Sequence, residues 1–326
     1  MITYLNYTEE HQHAMYEIFC GLTKEETFFK ELSFDEFKNL LFNSSAFQKE
    51  GTFVAFDEGK MVGFVSANVR DENPNTSGYV HTIIVDKSYR RQGIGGKLIE
   101  LAEEYIKGKG KASVRFVFLS GINWPWYIPY TEKHMHPGMP AVRMNSDFYI
   151  FLYHHGYVVN SIHEGFHLPL SEYELPDAVV KKMEQNKERG LFVELYDPAK
   201  HYGVEEFCQK IEKSNAGFAN AIRYNINREK PYPFLCANES GRMVGWTGAI
   251  WNEPSGRGHF DGIIVDEDIR GAGLGKALFC YLCYQSKLNG AQYMTFFTGL
   301  DNPARYIYLG AGFKIAQSFA DMKKVF

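Results

Sequence analysis

IIVDEDIRGAGLGKALF, Ile263–Phe279, decides the fold, because the chain carries nearly the same stretch earlier, as IIVDKSYRRQGIGGKLIE, Ile83–Glu100. Arg90 and Arg270, Gly93 and Gly273, and Gly95 and Gly275 each stand 180 positions apart. Each copy begins as an apolar run ending in Val-Asp, passes through a basic, glycine-rich turn and enters an amphipathic helical pattern. The reading is strand, loop, helix, written twice, with a potential anion site at the start of each helix.

The repeat extends in both directions. Upstream, GTFVAFDEGKMVGFVSANV (Gly51–Val69) matches PFLCANESGRMVGWTGAIW (Pro233–Trp251), each a hairpin pattern of two β-rich runs around a Gly turn. Downstream, KASVRFVFLSG (Lys111–Gly121) matches AQYMTFFTG (Ala291–Gly299) as a further strand. Each half closes on a short helical pattern and an aromatic after Gly, at Gly156-Tyr157 and Gly312-Phe313. The order predicts an α+β fold of two tandem domains, each a mixed central sheet flanked by helices. The expected boundaries are 1–170 and 191–326, joined over 171–190 by a helical linker that opens near Pro176 and stops at Gly190.

A length of 326 residues suits two such domains, and 45% hydrophobic with 23% charged residues is an ordinary globular balance. A net charge of −4 gives no basic stripe for nucleic acid and suits a cationic amine slightly better than an anion. The start, MITYLNYTEEHQH, has neither a basic nor an apolar leader region, and no apolar run reaches membrane-spanning length. A cytoplasmic protein is expected, with no membrane partner. Cys20, Cys208, Cys236, Cys280 and Cys283 show no framework spacing; Cys280 and Cys283 fall in an apolar helical pattern and read as buried thiols.

The glycine loop is not a P-loop, because Arg270 holds the first-glycine position and Ala277 cannot hold magnesium. It is not a dinucleotide fingerprint, because Gly271-Ala-Gly273-Leu-Gly275 is one residue short. What remains is Arg-x-x-Gly-x-Gly between a strand and a helix. The pattern resembles the coenzyme A loop of the GNAT superfamily of N-acetyltransferases, and the resemblance covers most of both halves. It implies acetyl-CoA as cosubstrate and no metal. The pyrophosphate would be held by Arg270, Gly271, Ala272, Gly273, Leu274, Gly275 and Lys276, with the pantetheine arm along Ile263, Ile264 and Val265. The matching set in the first half is Arg90, Arg91, Gln92, Gly93, Ile94, Gly95, Gly96 and Lys97, with Ile83, Ile84 and Val85. Glycines let successive N–H groups curl toward an anion, and the helix adds its positive end.

The halves differ in chemistry. Tyr308 stands four residues before Gly312, where the resemblance places a tyrosine that protonates the departing thiolate; the first half has Leu152 there. Tyr306 reads as structural. His259 and Asp261, two apart on a strand, share a face continued by Ile263 and Val265 and are candidate bases for the amine. The first half has Tyr79 and His81, a weaker set. His154 and His155 are adjacent and so do not share a helix face, which argues against a metal there.

The first half also carries a 22-residue insertion, lying within INWPWYIPYTEKHMHPGMPAVRM (Ile122–Met144) and crowded with Trp124, Trp126, Tyr127 and Tyr130. These four are candidate substrate residues, as a stacking platform or cation cage; the plainer reading is a lid or a contact between domains. The sequence thus points to an N-acetyltransferase that moves acetyl to a small-molecule or peptide amine by direct attack, with catalysis in the second half. A non-catalytic acyl-CoA-binding protein, and catalysis in the first half with the aromatic loop as substrate site, stay open beside it.

Overall fold

The computed structural model describes residues 1–326 as two compact units, Met1–Gly165 with Ala316–Phe326, and Phe166–Ile315. Each is an α+β unit.

In the first unit, Ile2–Asn6, Thr52–Asp57, Lys60–Asn68 and Gly78–Val85 form an antiparallel run in sequence order. Alternation along Thr52–Asp57 sends Phe53 and Ala55 to the side of the helix Ile94–Gly108, and Val54 and Phe56 to the opposite core around Phe19 and Phe37. The next strand, Ser113–Phe116, is parallel and pairs only at Gly78↔Val114 and Tyr79↔Arg115. Beyond Tyr79 the two strands part, so His81–Val85 has one edge that no strand covers.

The second unit repeats the plan. Leu191–Leu195, Phe234–Glu239, Arg242–Gly248 and Gly262–Val265 run antiparallel in sequence order. Leu235 and Ala237 face the helix Leu274–Leu288, while Phe234 and Cys236 face the helix Val204–Ile226. The following strand, Tyr293–Gly299, touches the approach to Gly262–Val265 through a single parallel bridge, Arg257↔Tyr293, and then neighbours Phe166–Pro169 instead. The same opening is therefore made twice, each time beside the strand that feeds a glycine loop.

The chain divides differently from the sequence boundaries of 170 and 191. The segment 171–190 holds the helix Asp177–Lys187, whose Val179 and Met183 join the second unit's core. The last eleven residues, Ala316–Phe326, pack with the first unit rather than the second. There Met322 pairs with Phe116 and Val325 with Ser113. Phe319, Ala320 and Met322 are buried in the first unit's cores, and a paired buried charge sits among them. Asp321 is fully buried and accepts both nitrogens of an Arg115 fork, at 3.1 and 2.5 Å, plus Asn160 Nδ2 at 2.6 Å and Ser161 Oγ at 3.2 Å. Removing the carboxylate strands a half-buried guanidinium. Asp321→Ala is expected to cost the first unit about 3 kcal/mol, read as a lowered urea midpoint. An unchanged midpoint would mean the C-terminal strand is not held by this pair.

Candidate active site

Each glycine loop is built the same way. Asp266 and Asp86 cap a single 3-10 turn through their side chains, Asp266 Oδ1 accepting from Asp268 N and Asp86 Oδ1 from Ser88 N. The chain then turns through Gly273 at φ +80° in one unit and Gly93 at φ +83° in the other, a conformation that suits glycine, and enters the helix. The N–H groups of Gly271, Ala272 and Gly273 donate to no protein acceptor. Those of Leu274, Gly275 and Lys276 are the first of the helix and have no intrahelical acceptor; the first bond back is Ala277 N to Gly273 O at 3.0 Å. Arg91 to Gly96 repeat the arrangement, closed by Lys97 N to Gly93 O at 3.0 Å. A run of converging donors at a positive helix end fits a pyrophosphate. Asn186, fully buried, steadies the second loop by donating to Ala272 O at 2.8 Å.

The strand edges complete the groove. Asp266 N donates to Val244 O, so by antiparallel alternation the N–H groups of Ile263 and Val265 turn to the open edge, and that of Ile264 to its partner strand. Asp86 N to Val62 O sets the same phase for Ile83, Ile84 and Val85.

The two grooves are not equally free. Arg270 makes no ion pair, whereas Arg90 is committed, its Nε donating to Val85 O at 2.9 Å and its guanidinium pairing with Glu25 at 2.9 Å. A Cβ on Gly275 would meet only Ile307 Cδ1 at 3.7 Å and Val265 Cγ2 at 3.8 Å. On Gly95 it would meet Phe151 Cε2 at 3.3 Å, and on Gly96 His155 Nε2 at 3.1 Å. The first unit's helix start is crowded by Phe151 and His155, whose rings lie 4.2 Å apart.

Tyr308 sits on the short helix Arg305–Gly310, its ring caged by Phe296 at 4.4 Å, Phe279 at 4.8 Å, Phe166 at 5.6 Å and Phe260 at 6.2 Å. Burial pushes its phenol up to about 12. The hydroxyl has no protein hydrogen-bond partner, yet it is not sealed from solvent. Tyr306 points outward. In the first unit Leu152 is fully buried in the corresponding core.

His259 Nε2 and Asp261 Oδ1 are 2.6 Å apart. Glu253 lies 3.9 Å from His259 Nδ1, too long for a hydrogen bond but close enough to act as a charge, and is itself held by Arg257 Nε at 2.8 Å. Burial alone would lower the imidazole pKa; the bond to Asp261 and the nearness of Glu253 outweigh it and hold the group up at about 8. Burial would raise Glu253, yet His259 and Arg257 bring it down to about 2. Trp251 stacks on the imidazole at 4.3 Å.

The single strand face expected through His259, Asp261, Ile263 and Val265 is broken. Asp261 N bonds Gly248 O out of phase, and Gly262 takes φ +149° where a side chain would strike Phe218 at 2.3 Å. The irregularity shifts the alternation, so Phe260, Ile263 and Val265 face the core that holds Tyr308, while His259 and Asp261 turn to Trp251 and Ala249. No hydrogen bond or ring contact joins Tyr308 to His259 or Asp261. In the first unit, burial drives His81 down to about 3, and its Nε2 is buried without a partner.

The aromatic insertion is largely core. Trp124 stacks on Phe19 at 5.1 Å and donates to Thr82 Oγ1 at 2.8 Å. Trp126 is fully buried between Phe28 and Phe319, each 5.1 Å away. Their faces are taken, so the platform expected of the four rings narrows to Tyr127, whose hydroxyl donates to Glu31, and the exposed Tyr130. Cys280 and Cys283 are buried free thiols raised by burial. No group of His, Cys, Asp and Glu is placed to hold a metal, and no helix is long and apolar enough to cross a membrane.

Sequence reasoning passed over Trp251, Glu253 and Arg257, although Glu253 and Arg257 are four apart and Arg257, His259 and Asp261 alternate. It also passed over Glu25 and Phe151, for which no local signal exists.

Solved structures share this architecture at low identity. A GCN5-related glucosamine N-acetyltransferase region of a fungal multi-domain GH3 beta-N-acetylglucosaminidase matches at a TM-score of 0.67 and 15% identity, over 99% of this chain and 38% of that one. This chain therefore spans well under half of that protein. A GCN5-related N-acetyltransferase from Sphaerobacter thermophilus matches at 0.58 and 14%, over 99% and 95% of the two chains. A tandem GNAT protein from the clavulanic acid biosynthesis pathway matches at 0.58 and 14%, over 100% and 98%. At such identities the likeness is one of fold. The family model described as the acetyltransferase (GNAT) family matches residues 10–121 and again 192–313, most of the chain. With both loops, both open edges and both matches in register, the chain belongs to the acetyltransferase (GNAT) family, and carries its fold twice.

Proposed function

We propose that the second unit transfers acetyl from acetyl-CoA to a primary amine by direct attack while both substrates are bound. The observation that supports it most is the uncommitted loop, Gly271–Lys276, with its unpartnered N–H row, an unpaired Arg270 and an open strand edge beside it. In this reading the loop N–H groups hold the pyrophosphate, and the Ile263 and Val265 edge takes the pantetheine arm and polarises the thioester carbonyl. The amine nitrogen forms a bond to the carbonyl carbon and the carbon–sulfur bond breaks. The His259–Asp261 pair accepts the proton lost from nitrogen, directly or through water. The Tyr308 hydroxyl supplies the proton that sulfur gains. Holding both reactants in one groove supplies much of the rate. The first unit, with Leu152 for the tyrosine and Phe151 against its loop, acts as a partner domain. This plan of unequal halves is similar to mycothiol synthase, though no residue here carries that substrate over.

The test is calorimetric titration with acetyl-CoA together with thiol release across an amine panel. One site per chain with turnover is expected. Tight binding with no turnover on any amine would favour an acyl-CoA-binding regulator, and no binding would sink the transferase reading. A second reading puts the chemistry in the first unit, where neutral His81 has an unpartnered Nε2 beside an open edge.

The pH dependence follows from His259. Held up at about 8, the imidazole is cationic below that pH and cannot accept a proton. kcat/KM is therefore expected to climb about tenfold per pH unit up to about 8 and then level. In Asp261→Asn the break should move to lower pH, because the carboxylate that holds the cation is gone. A break that stays in place would remove His259 from the role of base.

A further inference from the structure

A line of stacked groups leads away from the base pair, and the transfer chemistry makes no use of it. Trp251 lies on His259 at 4.3 Å and 25°, Tyr232 on Trp251 at 5.8 Å and 22°, and the Arg228 guanidinium over Tyr232 at 4.5 Å. These steps keep the guanidinium within about 15 Å of the imidazole. Arg228 Nε reaches Lys230 O at 3.4 Å, and its terminal nitrogens have no protein acceptor.

Arg228 lines an open surface groove of about 740 Å³ with Arg223, Tyr224, Asn227, Glu229 and Lys230. The cations there are not equally committed. Arg223 is neutralised by Glu205 and Glu212, at 2.8 and 3.0 Å. Neither Arg228 nor Lys230 has a carboxylate within ion-pair distance. Arg228, held on an aromatic stack that leads to the candidate acceptor site, and Lys230, two residues on, are therefore cations free to take an anion.

We propose that the amine acceptor carries an anionic group, a carboxylate or a phosphate, that is seated by Arg228 and Lys230 while its amino group lies at His259 and Asp261. This rests on the second unit being the acetyltransferase site, and it names the acceptor class. The acceptor is zwitterionic and extended, with its charges separated by no more than the length of the stack. A polyamine is disfavoured, because its second cation would meet Arg228.

The experiment measures thiol release from acetyl-CoA by the full chain with aminohexanoate, aminooctanoate, a matching aminoalkyl phosphate, hexylamine and a diamine of equal length. The anionic amines are expected to exceed hexylamine in kcat/KM by about tenfold, the worth of one charge-assisted contact. In Arg228→Met the ratio should collapse toward one, and Arg228→Lys should keep part of it. Which anionic end is preferred identifies carboxylate or phosphate. Equal rates for hexylamine and the anionic amines, or a preference for the diamine, would overturn the proposal. If acetyl-CoA binds but no amine turns over, calorimetry of aminohexanoate against hexylamine with coenzyme A present decides. Tighter aminohexanoate binding that Arg228→Met removes keeps the subsite and sinks the transferase reading; equal binding sinks the subsite.

Discussion

Gly275→Trp is expected to weaken acetyl-CoA binding at least about a hundredfold, read by calorimetry, while leaving the fold in place. Gly275 is the second residue of the helix Leu274–Leu288 and needs no left-handed backbone, so a side chain there costs space and not strain. Its first carbon would sit in ordinary contact with Ile307 and Val265, so Gly275→Ala should bind almost as wild type. An indole carries the bulk outward, over the N–H groups of the helix start and the Val265 edge. Each hydrogen bond to a charged oxygen contributes about 1.5–3 kcal/mol, and blocking two accounts for the expected loss. Gly95→Trp is the contrast. There the added group meets Phe151 at 3.3 Å, so the effect is expected on the melting temperature of the first unit and not on coenzyme affinity. Affinity lost in Gly95→Trp and kept in Gly275→Trp would move the coenzyme, and the chemistry with it, to the first unit and His81.

What could be read from the sequence is what local spacing encodes. Paired Val-Asp, Arg and Gly positions at a constant offset identify two loops, and alternation upstream identifies the hairpins, because strand, turn and helix are set by neighbours in the chain. What could not be read depends on residues far apart. Arg115 and Asp321 lie 206 positions apart, and nothing near either one shows that the last strand packs with the first unit. Trp124 and Trp126 look like a surface platform until Phe19, Phe28 and Phe319 cover them. Glu25 takes up Arg90 from a helix with no motif of its own. The broken face between Asp261 and Ile263 had a local trace, Gly262, but its meaning rests on Phe218 arriving from another helix.

Tyr308→Phe is expected to lower kcat by about a hundredfold without a matching change in acetyl-CoA affinity. The substitution removes one oxygen and leaves the ring in its cage of Phe166, Phe260, Phe279 and Phe296. Because no protein group bonds to the hydroxyl, no partner is orphaned and the thermal midpoint should hold, which separates a lost proton donor from a damaged core. The same burial sets a signature in the pH profile. A phenol near its ordinary value of about 10 would lose its proton across the alkaline range and draw kcat down with it. Tyr308, pushed up to about 12, stays protonated there. The wild-type profile should therefore rise to the plateau set by His259 at about 8 and stay flat well beyond it. A bell with a falling limb near 9 or 10 would assign the acid to a less buried group. An unchanged kcat in Tyr308→Phe would mean that water protonates the thiolate. If both the flat limb and the loss in the phenylalanine variant are seen, the tyrosine acts through its proton and not its packing, since packing is common to both side chains.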